Sequence, residues 1–199
     1  MSRSVYLTGF EPFLAIRENP TEGLANALDG HRFGDFTVTS RVLPVSWADA
    51  PGLLLGDQER IQPDLSLHLG VSGQAQKIRL ERFAYNTIRS SFADNTGQHL
   101  QEQPIDDDRP LEAVLETQLD LSAIRAQAQT SDLPIELSED PGRYLCNRAY
   151  YASLKRAETP ALFVHVPHTE NLDPTGARWT QDRLMAATRA ILESLCKMV

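Results

Sequence analysis

The alternation of short apolar runs with helix-like segments is the feature that most constrains the fold of this chain. Residues 5–8, 36–43 and 65–70 are apolar or alternate in the way that strands do. Segments 20–30 and 47–61 separate them and carry helix-start signals. Strands that are separated by helices are joined by right-handed crossovers in a mostly parallel sheet. The sequence therefore predicts an α/β fold, a three-layer αβα sandwich with a mixed, largely parallel twisted sheet.

The second half of the chain adds strands, helices and one long polar segment. Residues 77–85 alternate apolar and charged side chains, which predicts a half-exposed strand near a sheet edge. Residues 90–110 are polar, turn-rich and acidic, and a loop of this length predicts a flap or an intersubunit arm. Further strands are predicted at 135–137 and 161–166, and helices at 120–129 and 180–198.

The size and charge of the chain exclude several classes of protein. With 199 residues and 41% hydrophobic residues, the chain is expected to form one domain over 1–199. A net charge of -8 argues against a nucleic-acid surface. The apolar run near the N-terminus is too short for a signal sequence or a membrane span, so we expect a cytoplasmic protein. Cys146 and Cys196 are then both expected to be free thiols.

The segment around Cys146 predicts a reactive cysteine at the start of a helix. Asp140 suits the N-cap and Pro141 the first helical position, which places Cys146 within the first two turns. The backbone N–H groups and the helix dipole favour a thiolate over a thiol there. The alternative is a structural role, because free cysteines are commonly buried and behave as small hydrophobic residues.

Three further ionisable residues have both a functional and a structural interpretation. Glu81, in the alternating segment, is most simply an exposed carboxylate. His165, near the carboxyl end of an apolar strand, is most simply a hydrogen-bonded core residue. His168 lies three residues further on and competes for any functional role. The histidine pair lacks further ligands at a familiar spacing, so we expect no metal and no cofactor.

The loops after the first and third predicted strands carry candidate binding residues. Phe10 and Phe13 flank a Glu-Pro turn, and they either pack into the core or line a pocket for a flat apolar group. Asn19 caps the helix that follows, a structural role that needs no ligand. The GVSG loop at 70–73 is neither a dinucleotide nor a Walker motif, so no nucleotide site is predicted.

Cys146, His165 and Glu81 together supply the nucleophile, base and orienting acid of a cysteine hydrolase. Four motifs occur in order, namely TGFEPF followed by ENP, GVSG followed by LERFAYN, PGRYLCNRAYY, and FVHVP. In these motifs the chain resembles the pyroglutamyl peptidase I, or pyrrolidone-carboxylate peptidase, family of cysteine peptidases. The resemblance extends from the first strand to the last helix, and it selects His165 over His168.

The resemblance implies removal of N-terminal pyroglutamate from peptides. Cys146 would attack the carbonyl next to the lactam ring, His165 would transfer the proton, and Glu81 would orient the imidazolium. Two alternatives stay open. One is a non-catalytic relative that binds pyroglutamyl or other lactam ends, or acts in assembly. The other is a related hydrolase with a different small acyl specificity. The resemblance also makes a homo-oligomer possible.

The resemblance also implies which residues of this chain form the substrate pocket. The resemblance implies an aromatic clamp of Phe10 and Phe13 with Tyr144 nearby, and it places lactam partners in the loop around Val71. Asn19 of the ENP motif is counted with these substrate-binding residues.

The chain departs from many bacterial members at three places. Leu14 and Ala15 replace two glycines, Ala75 replaces an arginine, and Pro141 replaces an alanine. The first two departures concern loops beside the predicted pocket. The third concerns the turn before the nucleophile.

Overall fold

The computed structural model describes residues 3–14, 17–130, 132–169 and 179–199. In chain order its strands are β1 (Arg3–Phe10), β2 (Arg32–Phe33), β3 (Phe36–Leu43), β4 (Leu65–Val71), β5 (Ile78–Glu81), β6 (Phe83–Tyr85), β7 (Thr87–Ile88), β8 (Gln103–Pro104), β9 (Val114–Glu116), β10 (Ile135–Ser138) and β11 (Ala161–Val166). Its helices are α1 (Pro20–Leu28), α2 (Asp49–Ile61), α3 (Leu121–Ala128), α4 (Leu145–Lys155) and α5 (Gln181–Met198).

A seven-stranded sheet in the order β10-β5-β11-β4-β1-β3-β2 forms the centre of the molecule. Strand β1 pairs in parallel with β3 and β4, and β4 pairs in parallel with β11. Strand β5 is antiparallel to β11, and the short β2 is antiparallel to β3. The sheet is therefore mixed and largely parallel, as the alternation of strands and helices predicted.

Helices cover both faces of this sheet. One apolar cluster joins the sheet to α1, α3 and α5, and a second joins it to α2 and α4. The α5 residues predicted to face the core are all buried, namely Leu184, Ala187, Ile191 and Leu195. The three-layer αβα prediction is confirmed. Within the described residues, no helix is both long and apolar enough to cross a membrane.

The strand predicted at 77–85 is divided in the structure. Strand β5 ends at Glu81, and the chain resumes as β6, which leaves the main sheet to pair with β9. Strand β5 lies one position in from the edge, between β10 and β11. Ile78 and Leu80 are buried, as the alternation predicted, and the exposure expected for Glu81 is wrong because α4 covers this residue.

The segment predicted as a flap or an arm is attached to the body near both of its ends. Strand β7 pairs with β8, and the fully buried side chain of Asn86 connects the two sides of the loop. Its Oδ1 accepts the N–H groups of Ile105 and Asp106, at 3.0 and 2.7 Å. Its Nδ2 donates to the carbonyls of Asp106, Arg109 and Pro110.

We expect Asn86→Ala to destabilise the protein by about 3 kcal/mol or more, because it leaves several buried backbone groups without partners. Urea denaturation followed by circular dichroism measures the change. Asn26→Ala, on the exposed face of α1, is the matched control and should change the free energy of unfolding by less than about 0.5 kcal/mol. Equal effects of the two substitutions would contradict the role given to Asn86.

Candidate active site

Cys146 is the second residue of α4, so the predicted start of this helix at Pro141 is wrong. The side chain of Asp140 accepts the N–H of Gly142 at 2.9 Å, and Gly142 has a φ of 78°. This left-handed turn interrupts the chain, and the helix begins only at Leu145. Cys146 therefore lies closer to the helix N-terminus than predicted, where backbone N–H groups have no acceptor within the helix.

The free N–H groups at the start of α4 are suited to stabilising an oxyanion. Tyr144 is the N-cap, and its side chain makes no capping hydrogen bond. The first N–H that bonds within the helix is that of Arg148, to the carbonyl of Tyr144. The N–H of Cys146 is thus available beside its own Sγ, where an oxyanion would form after attack on a carbonyl.

The sheet register brings the thiol and the imidazole together. Gly70, in β4, pairs with His165 in β11. The Sγ of Cys146 lies directly over Gly70, because a Cβ added at this glycine would be 2.8 Å from Sγ and 2.8 Å from the Phe163 ring. Only glycine permits this approach of the Cys146 sulfur to the sheet.

Glu81 is the residue that orients His165. Glu81 Oε1 lies 2.8 Å from His165 Nδ1, and the carboxylate is completely buried. The antiparallel register pairs Glu81 with Phe163, two residues from His165, so both side chains lie on one face of the sheet. The simplest sequence interpretation, an exposed Glu81, is wrong because α4 and two neighbouring strands cover it. The hydroxyl of Tyr150 donates to the Glu81 carbonyl at 2.9 Å.

The surroundings of His165 favour the charged imidazolium. Burial lowers the pKa of His165, but hydrogen bonds with the side chains of Cys146 and Glu81, and the charges of both, raise it to a net value of about 9. The ring is therefore protonated at neutral pH, with Nδ1–H directed to Glu81. An imidazolium beside a thiol at a helix N-terminus is the arrangement that activates a cysteine nucleophile.

The other two histidines near the site have different surroundings. His168 packs over the GVSG loop, 3.3 Å from where a Cβ on Gly73 would be. His68 is fully buried between the hydroxyls of Thr8 and Ser153, both at 2.9 Å, and burial lowers its pKa to about 3. It is neutral and holds β1, β4 and α4 together. Of the three, His165 is the one bonded to Glu81.

The predicted binding residues line one narrow slot that also contains Cys146. Its walls are Phe10, Phe13, Asn19, Val45, Val71, Tyr144 and Leu145. Val45 and Leu145 were not predicted from the sequence. The free volume of the slot is about 20 Å³, enough for about one water molecule. The slot is therefore almost closed, and a ring can enter only if its aromatic walls move apart.

Asn19 lies in the wall of the slot, and its amide mainly serves the local backbone. Its Oδ1 accepts the N–H and the hydroxyl of Thr21, at 3.1 and 2.9 Å. Its Nδ2 donates to the carbonyl of Glu11 at 3.1 Å. The predicted helix cap is confirmed, and the same bonds fix the loop that carries Phe13.

A turn at residues 93–95 holds two walls of the slot, and sequence analysis missed it. Asn95 Nδ2 donates to Glu11 Oε1 and to the Pro12 carbonyl, both at 2.8 Å. The hydroxyl of Tyr144 donates to the Ala93 carbonyl at 2.9 Å. We call residues 93–95 the clasp. The DNTG sequence indicated a turn here, but no local pattern indicated that the turn packs against a loop more than 80 residues away.

The departures from the family pattern have different structural settings. Leu14 has a φ of 53°, a conformation that favours glycine, and its side chain is 58% exposed. A glycine would therefore be the less strained residue at this position. Ala75 and Pro141 are both buried. Ala15 lies outside the described residues.

Fold and site together define a class of enzyme. A cysteine at a helix N-terminus, a histidine bonded to a buried glutamate and an apolar slot, all at one end of an α/β sheet, are the parts of a cysteine hydrolase.

Comparison with known proteins identifies the family. A family model described as pyroglutamyl peptidase matches residues 3–173. A pyrrolidone-carboxylate peptidase of Pyrococcus furiosus is 37% identical over 169 residues, 82% of this chain and 80% of that protein. Human pyroglutamyl-peptidase 1 is 29% identical over 99% of this chain and 91% of its own length. The chain belongs to the pyroglutamyl peptidase family.

The solved structures agree with this assignment. A mutant pyrrolidone carboxyl peptidase from Pyrococcus furiosus superposes with a TM-score of 0.91 and 30% identity, covering 98% of this chain and 99% of that one. The similarity includes the mixed sheet and the helices on both of its faces.

Iodoacetamide at neutral pH is expected to alkylate Cys146 at least about tenfold faster than Cys196, because burial raises the pKa of Cys196 to about 11. Peptide mass spectrometry gives both rates in one sample. Gly70→Ala displaces the thiol from His165 and should remove most of the difference. Gly56→Ala, in an open position on α2, should preserve it. Equal rates at the two cysteines of the unmodified protein would contradict an activated Cys146.

Proposed function

We propose that this chain removes an N-terminal pyroglutamyl residue from peptides, as one catalytic domain over residues 1–199, with Cys146, His165 and Glu81 as the catalytic group. The observation that carries the proposal is the meeting of these three side chains at the mouth of an apolar slot. The names of the relatives support the same activity. A protein that only binds lactam ends has no need of a buried glutamate and a protonated histidine, which are costly to bury.

The proposed reaction begins with the thiolate of Cys146. Its Sγ attacks the carbonyl carbon of the pyroglutamyl residue, and the backbone N–H of Cys146 donates to the oxyanion that forms. His165 then gives its Nε2 proton to the leaving nitrogen as the C–N bond breaks, leaving a thioester. In the second half, neutral His165 takes a proton from water, which attacks the thioester. The thiolate of Cys146 then leaves beside the reprotonated His165, and the products of the full cycle are the shortened peptide and 5-oxoproline.

Glu81 keeps the imidazole of His165 in the orientation that both half-reactions require. Its bond to Nδ1 fixes the ring so that Nε2 faces the thiol, and its charge stabilises the imidazolium. Because Glu81 is rigidly buried beneath Tyr150, the histidine does not have to be reoriented between the two steps.

The slot accounts for the choice of a flat, uncharged ring. Phe10, Phe13 and Tyr144 offer apolar surface to a five-membered lactam. The lactam N–H and C=O require partners in this dry site, and we assign them to the backbone around Val71 and to the second proton of Asn19 Nδ2. The clasp sets the separation of the walls, because it holds Tyr144 from one side and the Phe13 loop from the other.

The proposed setting of the enzyme is the cytoplasm, where both cysteines stay reduced. Its proposed partners are peptides with a pyroglutamyl end, and neither nucleic acid nor membrane is required. Assembly into a homo-oligomer stays a prediction from the family resemblance.

The activity is tested with matched pyroglutamyl, prolyl and glutaminyl amides of one chromophoric amine. We expect kcat/KM for the pyroglutamyl amide to exceed the other two by about 10⁴-fold, because those substrates leave polar groups of the slot unpaired. Cys146→Ser should abolish turnover, and Cys196→Ser should leave it nearly unchanged. Cleavage of all three amides at similar rates would contradict the slot assignment. Absence of any cleavage would favour the binding relative.

The pH profile tests the role of Glu81. Activity is expected to fall as pH rises through about 9, where His165 loses the proton that the leaving amine needs. Glu81→Gln removes a charge that raises this pKa, so the alkaline limb should move to lower pH and kcat should fall. The conservative Glu81→Asp should lie between the two. An alkaline limb that is unchanged in Glu81→Gln would contradict the assignment.

A further inference from the structure

A second cavity, which shares no lining residue with the slot, lies between α2 and α4 and is closed on one side by residues 105–106. Its volume is about 460 Å³, which is within the range of small-molecule sites. We call it the α2–α4 cleft. Several cationic side chains and one carboxylate reach it, although the protein as a whole has a net charge of -8.

Arg148 and Arg156 are the cations of this cleft that form no ion pair with a described residue, and Arg148 is the one that packs over an aromatic ring. Its guanidinium lies 5.9 Å from the centre of the Trp47 ring, and its side chain makes no ion pair or hydrogen bond with any residue that the structure describes. Burial lowers the pKa of Arg148. On the neighbouring helix, by contrast, Asp57 is paired with both Arg41 and Arg60. A guanidinium held partly out of water without an anion is unfavourable.

The single carboxylate of the cleft, that of Asp106, does not serve as a counter-ion for Arg148. Asp106 Oδ2 lies 2.7 Å from Lys155 Nζ and 3.7 Å from Arg109 Nε. One negative charge is therefore already shared by two positive charges. Arg156, at the end of α4, adds a further cation. The cleft therefore keeps an excess of positive charge, which includes Arg148.

A second donor in the cleft also lacks an acceptor. The side chain of Tyr151 is completely buried; the guanidinium of Arg109 can donate to its hydroxyl oxygen, but the hydroxyl proton has no acceptor among the described residues. Burial raises the pKa of Tyr151, so the hydroxyl stays protonated and can donate. Its neighbour Tyr150 donates to the Glu81 carbonyl at 2.9 Å, as buried tyrosines normally do. Arg148 and Tyr151 thus present donors to one cavity without an acceptor.

We propose that the α2–α4 cleft binds a small carboxylate that carries an apolar body. The two carboxylate oxygens accept hydrogen bonds from Arg148 and Tyr151, which gives both donors the acceptor they lack. The apolar body packs against the remaining walls, which are Pro51, Leu55, Ile105 and Ala152. This combination of a charged end and an apolar wall selects against inorganic anions and against neutral apolar molecules.

Trp47 contacts one residue of the cleft and one residue of the slot. Trp47 lies under Arg148 and packs edge to face on Tyr144, with 5.0 Å between the ring centres. Tyr144 is a wall of the slot. Trp47 is therefore a reporter for the cleft, and since the chain has two tryptophans, Trp179→Phe leaves Trp47 as the single fluorophore.

The test is titration of the full chain with hexanoate, followed by calorimetry and by Trp47 fluorescence in the Trp179→Phe protein. We expect saturable binding of one hexanoate per chain and at least about tenfold weaker binding of the neutral hexanamide. Arg148→Gln and Tyr151→Phe should each weaken hexanoate binding, the first by about tenfold or more. Arg189→Gln is the matched control, since Arg189 lies 5.9 Å over Phe33 on the opposite face of the sheet.

Each outcome decides the proposal. Binding of hexanamide as tight as that of hexanoate would overturn the role of Arg148. Equal losses of hexanoate affinity in Arg148→Gln and Arg189→Gln would also overturn the site, because they would show only a general attraction of the anion to cations. Absence of saturable binding overturns the site, including the case in which sedimentation shows a second copy of the chain covering the cleft. Thermal unfolding of each variant establishes that it is folded, and the conservative Tyr151→Phe keeps the test valid if Arg148→Gln is unstable.

Discussion

The close approach of α4 to the sheet at Gly70 is the constraint on which the active site depends. A methyl group there would meet both the Cys146 sulfur and the Phe163 ring at 2.8 Å, so the helix can sit at this distance only over a glycine. Parallel pairing of β4 with β11 places His165 beside that same glycine. The distance between thiol and imidazole is therefore set by strand register and by one missing side chain, and loop conformation has little influence on it.

Burial of Glu81 is the second constraint on the candidate active site, and it depends on the topology of the sheet. The antiparallel strand β5 delivers Glu81 from the opposite direction to the strand that carries His165. Strand β10 covers the outer edge of β5, and α4 covers its face. The hydrogen bond between Glu81 and His165, at 2.8 Å, offsets part of the cost of burying both groups. The antiparallel pairing of β5 with β11 thus brings the Glu81 carboxylate to His165.

The order of strands and helices and the layer architecture could be predicted from the sequence, because periodicity and capping are local signals. Asn19 is an example, since its cap follows from the ENP triplet alone. The start of α4 could not be predicted, because Asp140 and Pro141 suit a helix start and only the left-handed turn at Gly142 prevents one. The burial of Glu81 and the clasp at Asn95 depend on segments distant in sequence, which no local pattern contains. The three candidate catalytic residues were found by their complementary chemistry and by family resemblance, although each alone had a simpler structural interpretation.

The nearly closed slot has a consequence for how substrate affinity is set. If only a fraction of the molecules hold the aromatic walls apart at any moment, the apparent dissociation constant is the intrinsic constant divided by that fraction. Affinity is then governed by the opening equilibrium as much as by the contacts that the ring makes. Asn95 holds the loop of Phe13 without lining the slot, so its effect on affinity would come through this opening equilibrium. A substitution at Asn95 in the clasp would then change affinity while every side chain that lines the slot stays the same.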